Sequence, residues 1–421
     1  MRRMQGMQSQ NWGVTDMIDI AAIREQFPIL QEQVYGKPLI YLDNTATSQT
    51  PRRVVDRIGW LYSHCKANVH RGIHRLSQEA TDLQEATRRR VKEYINARSE
   101  REIIFTRGTT ESINLAAGSY GLKLRDGDEI VVTGMEHHAN IVPWQLIGHH
   151  AKVRLRVAEV NDRGEIDLEQ YESLFNENTR VAAISHVSNV LGTINPVKEM
   201  IEIAHRHGAV VLVDGAQAAP HLRIDVQDLD CDFYAFSSHK MYGPTGVGVL
   251  YGKEERLEEM EPWQGGGEMI SQVTFEKTTY ADLPYKFEAG TPDFIDIAAF
   301  SEAFDFIESV GGIEKMAEYE GELCRYAEKR LKEIEGLKIY GESCNKSAVT
   351  SFNIEKIHNY DLGLLLDRMG VAVRTGHHCA QPLMDRYGVP GMARASWAVY
   401  NTREEVDIFI DSLRKVAAML R

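Results

Sequence analysis

The chain has 421 residues, 26% of them charged and 43% hydrophobic, and a formal net charge of −13. That is enough chain for a large core in two domains, and the acidic balance argues against a general nucleic-acid or anionic-membrane binder. The five cysteines are scattered without a CxxC pair and no apolar stretch approaches a membrane span, which points to reduced thiols in a cytoplasmic protein.

Residues 1–17 are polar, carry no apolar signal-peptide core and are expected to be disordered. Residues 21–30 read as a short helix leading into a strand at 38–43. Helical spacing of apolar residues follows over 53–67 and 79–97. Strands and helices then alternate. Strands are predicted at 102–106, 129–134, 152–159, 181–187, 209–215, 233–238 and 246–252, with helices starting at Thr110, near Trp144 and at Val197. Apolar strands interleaved with amphipathic helices indicate an α/β sheet covered on both faces. After the Gly-rich run at 264–268 the pattern changes. One long helical stretch over 296–335 is predicted to cross to a smaller domain, with strands near 337–341, 348–354 and 371–376 and a last helix over 403–420.

Chemistry-bearing residues cluster at the ends of these strands. Lys240 lies between two apolar runs, at 233–236 and 247–251, where an ammonium is costly to desolvate and its pKa falls. A free amine there attacks an aldehyde. Asp214 ends another apolar run 26 residues upstream. An aldehyde-holding lysine and a carboxylate for a pyridinium nitrogen are what pyridoxal phosphate chemistry asks of a protein. A hairpin-tip lysine and an N-capping aspartate would look the same in isolation. Gly108, Thr109 and Thr110 join a strand to a helix N-terminus, which suits a phosphate or a plain N-cap. Ser237 and His239, beside Lys240, would close the other side of that phosphate. His137 follows a strand and suits stacking on a flat cofactor; of the pair His137 and His138, one reads as an ordinary loop histidine. Metal-ligand spacing is not recognisable around the His-His pairs. Asn189 and Gln217 are strand-end polar groups able to bond a ring hydroxyl, or ordinary turn formers. Cys379 sits in "VAVRTGHHCAQPLM", where polar and basic flanks such as Arg374 favour a reactive thiolate over a small buried apolar thiol. Arg394 precedes an apolar helix-like pattern and reads either as a carboxylate clamp or as a surface arginine.

Taken together, "YLDNTATSQTP", "ANVHRGIHRLS", "RGTTESINL", "MEHHANIVPWQ", "SHVSNVLGT", "VDGAQAAPH", "SSHKMYGPTG", "FEAGTP", "RTGHHCAQPLM" and "RASWAVYNT" resemble, in family order, the cysteine desulfurases, and most closely their SUF-type branch, in which the cysteine loop is short. The resemblance implies a fold type I pyridoxal 5′-phosphate enzyme of α/β class, with a mainly parallel central sheet flanked by helices in the large domain. It implies an N-terminal helical segment at 18–34 packing with the small domain, a large domain over 35–305 and a smaller α+β domain over 306–421. Lys240 then matches the lysine that binds the cofactor aldehyde, Asp214 the partner of the pyridine nitrogen, Gln217 the partner of the ring oxygen and His137 the stacking histidine and proton donor. Thr109, Thr110, Ser237 and His239 match the phosphate cup. Thr291 matches a threonine reaching the phosphate from the partner subunit of a homodimer. Asn189, Arg374 and Arg394 match substrate-orienting residues, and Cys379 the cysteine that takes sulfur from L-cysteine. The implied partners are a sulfur-acceptor or activator protein and an iron–sulfur scaffold. L-selenocysteine or cysteine sulfinate as substrate, and plain amino transfer, are the alternative activities. Two positions depart from the family pattern: Thr45 stands where alanine is commoner and Ser238 where many relatives have glycine.

Overall fold

The computed structural model describes residues 18–421, the side chains of His149 and His150 excepted; the tail expected to be disordered lies outside the described residues. Seven strands form the main sheet: β1 (Ile103–Thr106), β2 (Glu129–Thr133), β3 (Arg154–Ala158), β4 (Thr179–Ser185), β5 (Val210–Asp214), β6 (Phe233–Ser237) and β7 (Gly248–Gly252). Their spatial order is β1-β7-β6-β5-β4-β2-β3. All neighbours are parallel except β7, which runs antiparallel to both β1 and β6. The interior strands are buried along almost their whole length, Arg180 of β4 excepted, because both faces are covered. Val211 and Val213 of β5 enter one core and Val210 and Leu212 the other. The outer strand β3 is half exposed and carries arginines, which suits an edge.

A second, antiparallel sheet is made by β8 (Leu337–Tyr340), β9 (Val349–Ile354), β10 (Arg374–Gly376) and β11 (Met392–Ser396), in the order β8-β9-β11-β10. It shares a core with the last helix, through Phe352, Trp397, Phe409 and Leu413.

Several sequence expectations are corrected here. The helical stretch expected over 296–335 is two helices, Phe294–Ser309 and Ile313–Leu331. Gly311 and Gly312, at φ 101° and 92°, turn the chain between them, a conformation residues with a Cβ rarely adopt. The first helix therefore runs through the domain boundary expected at 305/306. Residues 40–42 also differ from the expected division. Ile40–Tyr41 pairs with Val371–Ala372, and Ile40 and Leu42 lie in the C-terminal core. The helix-like run after Arg394 is not helical: Arg394 is on β11, and the following helix starts at Arg403. Residues 391–400 are almost entirely buried, so no polar face was present to reveal the true period. A hairpin, Ile270–Val273 with Thr278–Tyr280, was also not foreseen.

One buried ion pair fixes the segment that carries Thr291. The Arg88 guanidinium, fully buried, donates to Glu288 at 2.7 and 3.0 Å, to Glu85 and to the Ile103 carbonyl. Glu288 also accepts the Phe105 N–H of β1 at 2.7 Å. Removing the Glu288 charge leaves the fully buried Arg88 with Glu85 as its remaining charged partner. Glu288→Gln is expected to cost about 1–3 kcal/mol of stability, read as a lower denaturant midpoint; an unchanged midpoint would show that the pair carries no weight.

Candidate active site

The carboxyl ends of β1, β2, β4, β5 and β6 open on one cavity of about 720 Å³, and β10, β11 and the loop after β10 close its other side. That volume is right for a cofactor-sized molecule plus a small substrate. Lys240, Asp214, Gln217, Ser237 and His239 line it together with Thr109, Thr110, His137 and Asn189. Arg374, Arg394 and Cys379 line it from the C-terminal side. Among the expected site residues, Thr291 alone is missing from this lining. It is exposed and lies on a neighbouring groove that shares Arg107, Glu111 and Trp263 with the cavity.

Beyond β1, Gly108 turns the chain into the helix α1 (Thr109–Tyr120). A Cβ on Gly248 of β7 would stand 2.4 Å from the Gly108 Cα, so glycine there lets the turn lie flat on the sheet. The Thr109 N–H donates to Ser237 Oγ at 2.7 Å, and the two hydroxyls are also 2.7 Å apart. Free N–H groups at a helix start, with hydroxyls facing them, form an anion cup. His239 bonds Thr47 Oγ1 through Nδ1 at 3.2 Å. Burial, helped by the Lys240 charge, pushes its pKa down to about 4.

After β2, Glu136 is buried and accepts from Thr133 Oγ1, Asn140 Nδ2 and both the N–H and hydroxyl of Ser185, at 2.6–2.8 Å. Burial still lifts its pKa to about 7. This anchor fixes the turn bearing His137 to the end of β4. His137 Nδ1 accepts the Ala139 N–H at 3.0 Å, which leaves the ring proton on Nε2. Burial and then the Lys240 charge hold the His137 pKa down to about 4, so the ring is neutral at ordinary pH.

Asp214 is buried at the end of β5 and accepts the Ala216 N–H at 3.0 Å. Burial raises its pKa, while Ala216 and Lys240 oppose that shift. Gln217 donates Nε2 to the Thr45 carbonyl at 2.7 Å, and its buried Oε1 has no partner among the described residues. Lys240 faces the cavity. Desolvation pushes its pKa down to about 8, with Asp214 opposing and Arg394 assisting. At pH 7 this leaves about 10% free amine, on the order of 300 times more than an ordinary lysine has. Uptake of pyridoxal 5′-phosphate by cofactor-free protein is therefore expected to quicken as pH rises towards 8 and to level off above it. A rate still climbing steeply between pH 9 and 10 would contradict the lowered pKa.

On the far wall, Arg374 of β10 and Arg394 of β11 stand directly opposite one another. Like charges so placed repel unless neutralised. Asp43 does this, 3.0 Å from Arg374 Nε and 3.2 Å from Arg394 Nη2. Arg394 is buried, which lowers its pKa to about 10 against the pull of Asp43. It donates Nη1 to the Asn189 carbonyl at 2.9 Å and leaves Nε without a partner among the described residues. Asn189 in turn donates Nδ2 to the His378 carbonyl at 2.8 Å. Cys379 follows His378 and is exposed.

A family model described as aminotransferase class-V matches residues 40–409. A cysteine desulfurase of Escherichia coli is 51% identical over 400 residues, covering 94% of this chain and 98% of its own. The chain belongs to the class-V aminotransferase family, in its cysteine desulfurase branch. The crystal structure of the cysteine desulfurase CsdA from Escherichia coli superimposes with a TM-score of 0.89 at 39% identity, covering 96% of this chain and 99% of that one. The apo cysteine desulfurase of Thermococcus onnurineus NA1 gives 0.90 at 38% identity, covering 98% and 100%.

The cofactor of this family is pyridoxal 5′-phosphate, and the residues present fit it. An amine of lowered pKa, a buried carboxylate, an anion cup and the unpartnered Gln217 Oε1 share one cavity. Four residues that build the site escaped the sequence reading: His378 and Trp263 line the cavity, and Asp43 and Glu136 hold its lining from behind. Asp43 and Glu136 did carry a signal, an acid at the end of an apolar run, but the partners that give each its place are distant in the chain. Of the two departures from the family pattern, Ser238 is accommodated: its buried hydroxyl donates to the Pro244 and Val247 carbonyls. The Thr45 hydroxyl is buried with no partner among the described residues.

Proposed function

We propose that the chain removes sulfur from L-cysteine, releases L-alanine and carries the sulfur as a persulfide on Cys379. The observation that carries this reading is the meeting of an exposed cysteine, a lysine of lowered pKa and two arginines on a single cavity. Lys240 and Asp214 would hold the two ends of the cofactor's chemistry, Gln217 its ring oxygen and His137 its face. Thr109, Thr110, Ser237 and His239 would hold its phosphate. Bound there, the cofactor supplies an electron sink for the substrate's α-carbon. Arg394, through its free Nε, and Arg374 would bind the substrate carboxylate, with Asn189 holding Arg394 in place. Lys240 Nζ, once neutral, takes the α-proton. The Cys379 thiolate attacks the substrate sulfur: a sulfur–sulfur bond forms, the carbon–sulfur bond breaks and its electron pair stays with the carbon skeleton. The skeleton then takes up a proton through His137 Nε2, and the Lys240 ammonium left by the first step restores it, so the ring stays neutral.

The four-residue loop 377–380 between β10 and the next helix supports the SUF-type branch, whose cysteine loop is short. Thr291 lies off its own chain's cavity on an exposed groove, which supports its entering a second subunit's site in a homodimer. Sulfur would pass to an acceptor protein and on to an iron–sulfur scaffold. The described cysteines are all free, which supports a cytoplasmic setting, and among the described residues no helix is long and apolar enough to cross a membrane. L-selenocysteine and cysteine sulfinate offer the same carboxylate to the same wall, with selenium or a sulfinate sulfur in place of the thiol sulfur as the atom leaving the β-carbon.

The test is alanine release from L-cysteine by cofactor-loaded protein with a thiol reductant. Release with persulfide at residue 379 is the expected result. No release, even with a sulfur acceptor added, together with amino transfer to a keto acid, would replace this reading by an aminotransferase.

A further inference from the structure

Helix α2 (Gln381–Tyr387) follows the Cys379 loop, and its cap residue, Ala380, offers no side chain to the first N–H groups. His138, on the turn after β2 in the other half of the molecule, fills that place. The Gln381 N–H donates to His138 Nε2 at 3.0 Å, and the His138 N–H donates to the Cys379 carbonyl at 2.7 Å. The His138 ring also packs against His377, with centroids 5.5 Å apart. The loop needs such support, because His378 and Cys379 both sit at positive φ, 52° and 55°. Consecutive left-handed residues with side chains persist only where their surroundings hold them. For Nε2 to accept, the ring must be neutral with its proton on Nδ1. Burial and the neighbouring His377 lower the His138 pKa in that direction.

We infer that His138 is a positioning residue that fastens the strained Cys379 loop to the main sheet and so sets where the Cys379 sulfur meets the substrate. This rests on the reading of Cys379 as the sulfur-receiving residue. His138 differs in this from its neighbour: His137 caps its own turn and lines the cavity, whereas His138 is spent on the loop. Two further ties, from Asn189 Nδ2 to the His378 carbonyl and from His378 Nε2 to the Met392 carbonyl, are independent of it. The backbone bond from the His138 N–H also survives side-chain replacement, so a variant loosens the loop without releasing it.

The experiment compares His138→Ala and His138→Gln in full-length, cofactor-loaded protein. In His138→Ala, kcat for alanine release is expected to fall about tenfold, with KM and the cofactor's absorbance change on adding L-cysteine held within about twofold. Iodoacetamide labelling of Cys379, read by peptide mass spectrometry in loaded and cofactor-free protein, is expected to quicken about threefold as the loop loosens, while labelling of exposed Cys344 stays constant. His138→Gln, whose amide oxygen can accept the Gln381 N–H, is expected to regain much of the kcat. Unchanged kcat and labelling in His138→Ala would overturn the inference. So would a loss that falls equally on the absorbance change and is not restored by glutamine. The underlying reading fails separately: wild-type alanine release by Cys379→Ser removes Cys379 from the reaction, whereas an inactive Cys379→Ser beside a wild-type His138→Ala refutes the positioning role alone.

Discussion

Lys240→Ala is expected to lower alanine release from L-cysteine by about ten-thousandfold, at the upper end of what one positioned acid–base group contributes. Two duties rest on one nitrogen. Its neutral form, made accessible by a pKa near 8, binds the cofactor's aldehyde, and once displaced by substrate it is the base that takes the α-proton. Among the described residues no second amine lines the cavity. Arg374 and Arg394 are engaged with Asp43, and His137 and His239 are held neutral by burial, which makes them weak bases. The variant should fold, since removing an ammonium from a desolvated site relieves a cost. Its unfolding midpoint without cofactor is expected to match or exceed that of the wild type. The check is alanine release beside the cofactor's absorbance spectrum. Turnover within tenfold of wild type would remove Lys240 from the proton transfer.

The sheet was legible in the chain because buried strands and amphipathic helices leave different periods. The apolar run at 209–213 and the apolar stripe Val197, Met200, Ile201 and Ala204 need no tertiary information to be told apart. Where burial covers every face, the period vanishes, and 391–400 misled for that reason. Site residues at strand ends were legible because an α/β sheet gathers the carboxyl ends of its strands at one edge. What the sequence could not display were partners distant in the chain: Asp43 between two arginines more than 300 residues away, or His138 capping a helix at Gln381. Their side chains look ordinary until the second domain closes on the first. Thr291 illustrates the other limit, since its expected site is not on its own chain's cavity.

Cys379→Ser is expected to lower alanine release by about a thousandfold while leaving the cofactor's absorbance change on adding L-cysteine intact. The substitution keeps size and hydrogen-bonding capacity, and the residue is exposed, so folding gives no reason for the loss. What changes is nucleophilicity. The thiolate is the attacking form of a cysteine, a serine hydroxyl offers no counterpart near neutral pH, and oxygen is a poor partner for a sulfur–sulfur transfer. Steps before sulfur transfer use Lys240, Asp214, Arg374 and Arg394 and are untouched, so the variant should stall after substrate has bound and before the carbon–sulfur bond breaks. The other described cysteines give a sharp control. Cys65, Cys231 and Cys324 are buried; burial raises the pKa of each, which disfavours the thiolate. Cys344 is exposed but off the cavity, so Cys344→Ser should keep the wild-type rate. Peptide mapping of the wild type after L-cysteine is expected to place the added sulfur on residue 379. Persulfide found on Cys344 instead, with Cys379→Ser still releasing alanine at the wild-type rate, would move the sulfur-accepting role away from the short loop.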